Sequence, residues 1–159
     1  MYFYRIAGAA ILAFSGFAGA WIMNSSVSRT LTQTEALIAL MRFIRIQIEC
    51  FALPASEIIR RADGELLSRC GYCGGELPES FEELFEKFSV RDGEAAAITQ
   101  NFARNFGKSY RSEQLRECDY YIAQLCDAKQ RISDELPKRK KVNSTLCVSS
   151  ALALIILLI

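Results

Sequence analysis

Two runs of 18 residues without a charged side chain, Ile6 to Met23 and Val142 to Ile159, stand at either end of this 159-residue chain. No other feature constrains the fold as much. As helices rising about 1.5 Å per residue, each would reach about 27 Å, against a bilayer hydrocarbon thickness of about 30 Å. All 18 acidic residues and 18 of the 19 basic ones lie from Asn24 to Lys141, so the middle is electrically neutral. The predicted organisation is a short tail over 1–5, a transmembrane helix over 6–23, a cytoplasmic helical domain over 24–141 and a second transmembrane helix over 142–159. The closing ALALIILLI is apolar all round, with no polar face to turn to water.

Orientation follows from Lys138, Arg139, Lys140 and Lys141, which stand directly before the second run. Clustered Lys and Arg are retained on the cytoplasmic side of a membrane. The collar therefore predicts that the middle domain faces the cytoplasm. Ala18-Gly19-Ala20 resembles a signal cleavage site, with Arg5 as a thin basic region before it. Cleavage there would put the middle domain outside and leave the cations of the last anchor on the wrong face. A retained two-span hairpin is the expectation. Ala9, Ala13, Gly16 and Ala20 line one face of the first run, and small residues let helices approach closely in lipid. In a reducing compartment the cysteines at 50, 70, 73, 118 and 126 read as thiols.

The middle domain reads as all-α. From Ser28 to Phe51, Leu37, Met41, Ile44, Ile48 and Phe51 recur at steps of four and three, one stripe of a helix. Pro54 suits the first turn of a second helix carrying Ile58, Ile59, Ala62, Leu66 and Leu67, with Asp63-Gly64 a candidate break. CGYCGGEL, residues 70–77, reads as a loop. Pro78 and the glutamates at 79, 82 and 83 predict a short acidic helix that buries Phe81, Leu84, Phe85 and Phe88. Another helix follows over Glu94 to Phe106, ended by Gly107. From Tyr110 to Leu136, Leu115, Cys118, Ile122, Leu125, Ile132 and Leu136 form a stripe interrupted by Lys129, on a helix about 40 Å long. Pro137 is expected to kink or stop it. The two long helices are the natural antiparallel pair.

The chain contains no histidine, which removes the commonest general base and metal ligand. No glycine-rich phosphate loop appears. The sequence nominates no catalytic residue and no cofactor, and a non-enzymatic protein is expected. Cys70 and Cys73 are weak candidates for a metal or dithiol site, with Cys118 and Cys126 two helical turns apart as possible further ligands. Incidental cysteines in a turn are the preferred reading. The acidic segment from Glu76 to Glu86 reads as a solvated face. A neutral middle without interleaved aromatics argues against nucleic acid, and attraction to a membrane surface accounts for the basic collar.

Several stretches resemble the stage III sporulation protein AB family. Phe106-Gly107 stands where that family has Leu-Gly, with Tyr110 in place of its Asp and with Arg111 and Gln114 matching. IQIECFALPASEII resembles another family segment, with Glu49 and Pro54 near the matching places. Departures are Gln124-Leu125-Cys126 for His-Leu-Glu, Lys141-Val142-Asn143 for Lys-Met-Tyr, and Cys147 for a glycine in the last span. The resemblance implies a part in the channel apparatus joining mother cell and forespore, with a helical domain similar to the inner-membrane platform of type II secretion and type IV pilus systems. Its implied partners are a cytoplasmic secretion-type ATPase and other membrane proteins of the same channel, with self-association left open. Arg116, Glu117, Asp127 and Arg131 are the candidate docking surface. The alternatives are a membrane-anchored metal or redox protein using Cys70 and Cys73, and a secreted helical module with a cleaved signal.

Overall fold

The computed structural model describes residues 28–158. α1 covers residues 28–51, followed by α2 (Ala55–Arg61), α3 (Gly64–Cys70), α4 (Phe81–Glu86), α5 (Gly93–Asn105) and α6 (Arg111–Leu158). Among the described residues there is no strand, and one isolated antiparallel bridge joins Tyr72 to Phe88. The fold is all-α. Thr30–Ile132 forms one compact unit, and residues 133–158 belong to a second.

The stripe on α1 is buried through Leu37, Met41, Ile44 and Ile48. Phe51 departs from the expectation, at 58% exposed. α1 ends there, Ala52 turns the chain at φ 50°, and the Arg61 guanidinium lies 5.9 Å from the Phe51 ring centroid. Asp63-Gly64 does break the second helical stretch. The Asp63 carboxylate accepts from Glu65 N at 3.0 Å and opens α3, while Ile58, Ile59 and Leu67 fill the core.

Side-chain caps set the next two starts. Ser80 Oγ accepts from Glu83 N at 3.3 Å, so α4 begins at Phe81 rather than at Pro78. Asp92 accepts from Ala95 N at 2.9 Å and opens α5. Such caps satisfy amide donors that the helix itself leaves unpaired. At the far end of α5, Gly107 takes φ 80°, which a side chain would resist. Phe81, Phe85, Phe102, Phe106 and Tyr121 form one aromatic cluster, and Phe102 lies within 6.0 Å of each of the others by ring centroid. Phe88 is buried as expected, but from the bridge to Tyr72 rather than from α4.

α1 and α6 are antiparallel within the compact unit. Glu35 pairs with Lys129 at 2.9 Å, and Arg45 pairs with Asp119 at 2.6 Å. Ten residues separate the partners on each helix, in opposite chain order, so the pairing keeps one register over about 15 Å. Lys129, the break in the α6 stripe, is thus a surface ion-pair position. Pro137 does not stop the helix, which contains it and continues to Leu158. A proline costs a helix its own N–H bond and crowds the carbonyl four residues back, but donors beyond it resume the ladder.

Among the described residues no helix is long and apolar enough to cross a membrane. The run 6–23, with Ala9, Ala13, Gly16 and Ala20, lies outside the described residues, as do most side chains of 142–158. Lys138, Arg139, Lys140 and Lys141 fall within α6, and Lys141 is exposed.

Candidate functional site

The CGYC motif is a structural clasp. Gly71 caps α3 at φ 96°, a conformation that favours glycine. Its carbonyl accepts from Ser89 N at 2.9 Å, and Cys73 N donates to Lys87 O at 3.4 Å, forming the bridge around Tyr72 and Phe88. From α1, Gln33 reaches in. Its Nε2 donates to Cys70 O at 2.9 Å and Ser89 O at 2.7 Å, and its Oε1 accepts from Arg91 N at 3.0 Å. The Tyr72 ring meets Phe88 edge-on at 6.1 Å, and its hydroxyl donates to Glu76 O at 2.5 Å. Three backbone groups from two segments are thereby tied to one buried amide.

The two motif cysteines have opposite surroundings. Cys70 is fully buried, and that burial pushes its thiol up to about 12. Cys73 is exposed and directs its Sγ–H to Gly71 O at 3.4 Å. Cys118 is buried in the α6 core face, where burial and then the neighbouring Asp119 carboxylate push its thiol up to about 12. Cys126 is half-buried. Thiolate is the form that binds metal or attacks a disulfide, so Cys70 and Cys118 are poorly suited to either. Iodoacetamide near neutral pH is expected to label Cys50 and Cys73 rapidly. Cys70 and Cys118 should react only at the rate of unfolding, as peptide mapping over time would show.

The expected docking residues share one side of α6. At about 100° per residue, Arg116, Glu117, Asp127 and Arg131 fall within about 100° of arc. Cys118, Tyr121, Leu125 and Ala128 form the buried face, on the adjoining arc that begins about 20° beyond Glu117. Arg116 pairs with Glu113 at 3.2 Å, and Arg131 pairs with Glu94 of α5. Glu117 accepts from Ser109 Oγ at 3.4 Å, and Asp127 is exposed. Exposed pairs of this kind contribute about 0–1 kcal/mol and exchange partners readily.

The remaining expected positions gather at one end of the compact unit. Arg111 opens α6 and donates through Nε to Ile48 O at 3.1 Å and through Nη2 to Glu49 O. It thereby gives a partner to the Glu49 carbonyl in the last turn of α1 and a second donor to Ile48 O, which also accepts from Ala52 N at 3.2 Å. The Glu49 carboxylate accepts from Arg45 at 2.5 Å. Pro54 is the N-cap of α2, and Gln114 Nε2 donates to Ser109 O at 2.9 Å. Pro54, Gly107 and Gln114 all line an open cleft of about 860 Å³. Arg111→Ala is expected to lower stability by about 1 kcal/mol through the two lost charge-assisted bonds, with Arg111→Lys intermediate, as denaturant midpoints would register.

Sequence reasoning missed Gln33. Its signal was there: it stands four residues before Leu37, a polar side chain on the stripe that forms the core. It also did not anticipate that Arg111 would close α1.

No curated protein sequence and no solved structure matches the chain. The family model described as stage III sporulation protein AB matches residues 5–159. That match takes in both long helices, the clasp and every described position named from the resemblance, so the chain belongs to the stage III sporulation protein AB family.

Proposed function

We propose that this sporulation protein is a non-enzymatic platform of the mother cell–forespore channel apparatus, docking a cytoplasmic secretion-type ATPase. In this reading the runs 6–23 and 142–159 are membrane spans. They hold the helical unit at the cytoplasmic face of the cell membrane, on the mother-cell side. The supporting observation is that α6 carries the charged strip at Arg116, Glu117, Asp127 and Arg131 and also the cationic collar at 138–141, all on one helix. A single element would then join the docking surface to the anchor. Family membership supports the sporulation role.

Co-purification from membranes with the ATPase made by the same bacterium tests the reading. Reversing the four strip charges together should abolish recovery of the ATPase, while the protein remains folded and in the membrane. Undiminished recovery would remove the strip as the docking surface.

A further inference from the structure

The cleft at the end of the compact unit is built differently from the α6 strip. Its wall is apolar where α1 gives way to α2 and where α4 begins, through Leu53, Pro54 and Phe81, and Phe106 closes it from the end of α5. Its rim is charged. Arg104 and Lys108 stand there exposed, and among the described residues neither is in an ion pair. Glu82 is the one carboxylate in the lining, so the cations outnumber it.

Phe51, which directly precedes the cleft residue Ala52, is 58% exposed, with the Arg61 guanidinium 5.9 Å from its ring centroid. Ala52 itself holds φ 50°, a left-handed conformation that non-glycine residues seldom adopt. An exposed aromatic beside a concave surface of mixed apolar and polar lining is a feature that interfaces use as an anchor. A volume of this order accommodates one or two side chains of a bound segment.

We propose that this cleft receives a short segment of a partner protein in which bulky apolar side chains are flanked by carboxylates. The apolar side chains pack between Leu53, Pro54 and Phe106, and the carboxylates meet Arg104 and Lys108. Charge complementarity selects an acidic segment over a basic one. Aliphatic and aromatic lining selects an apolar anchor over a purely ionic contact. The cleft shares no residue with the four strip positions, so this inference stands apart from the ATPase reading.

The test uses the full chain in detergent and fluorescence anisotropy with three labelled hexapeptides. These are Glu-Asp-Leu-Phe-Asp-Glu, the same peptide with Ser-Ser at its centre, and Lys-Lys-Leu-Phe-Lys-Lys. The first is expected to bind saturably, and the other two at least about tenfold more weakly. The double variant Arg104→Glu, Lys108→Glu should weaken the first by about tenfold or more with an unchanged unfolding midpoint. Reversal of the four strip charges should leave it intact. The proposal is overturned by no binding of the first peptide, by equal binding of the serine peptide, or by preference for the lysine peptide. Indifference to the double variant overturns it too. So does a change in the number of associated protomers in that variant, which would make the cleft a contact between copies.

Discussion

Gly71→Ala is expected to destabilise the compact unit by about 3 kcal/mol or more, among the largest effects a single methyl can have. A Cβ at this position would lie 2.5 Å from Gln33 Nε2 and 2.8 Å from the Ser89 carbonyl oxygen. Neither neighbour can yield cheaply. The Gln33 amide is already committed to Cys70 O, Ser89 O and Arg91 N, and Ser89 O belongs to the backbone of the bridge. Moving the amide leaves buried groups unpaired at about 1–3 kcal/mol each, and φ 96° adds strain of its own. Thermal unfolding followed by circular dichroism should show a fall of well over about 10 °C for a unit of this size. A midpoint within a few degrees of the parent would refute the clasp. The same change made in a Gln33→Ala background should cost less, because the obstructing amide is gone and the two effects share one contact.

Phe102→Ala should cost about 3–5 kcal/mol. The ring is almost completely buried and stands between α4, the end of α5 and α6 through Phe81, Phe85, Phe106 and Tyr121. Its removal empties the centre of the cluster, and four rings from three segments cannot all move in to refill it. Asn105 Nδ2 donates to the Tyr121 hydroxyl at 3.0 Å, which pins one wall of the vacated space. Phe102→Leu keeps most of the volume and should cost about half as much. Urea unfolding monitored in the near ultraviolet would separate the two, since aromatic ellipticity should collapse in the alanine variant. An alanine variant as stable as the leucine one would mean that the cluster repacks.

The local rules of the sequence carried most of the helical reading. Stripes at steps of three and four located α1 and the first half of α6, and Asp63 and Gly107 marked real helix ends. Each depends on neighbours within one or two turns. What stayed hidden depends on partners far along the chain. Gln33 meets Cys70 and Ser89 across 37 and 56 residues, and Arg111 reaches Ile48 across 63. No periodicity encodes such contacts. Phe51 shows the same limit from the other side, because a stripe gives direction around a helix but not where cover by neighbouring helices ends. At Pro78 and Ser80 two legitimate start signals competed, and the hydroxyl that could bond an amide prevailed. The family-pattern residues were read one by one, and that three of them, Pro54, Gly107 and Gln114, line a single cleft became visible only in three dimensions.

The matched ten-residue spacing of the Glu35–Lys129 and Arg45–Asp119 pairs makes α1 and α6 behave like two rulers laid side by side with their scales reversed. Adding or deleting one residue between the marks on either ruler would rotate everything past it by about 100° and turn core side chains toward solvent. Length variation among descendants of this chain should therefore collect in the joints at 77–79 and 107–110, outside the clasp, leaving residues 35–45 and 119–129 of constant length.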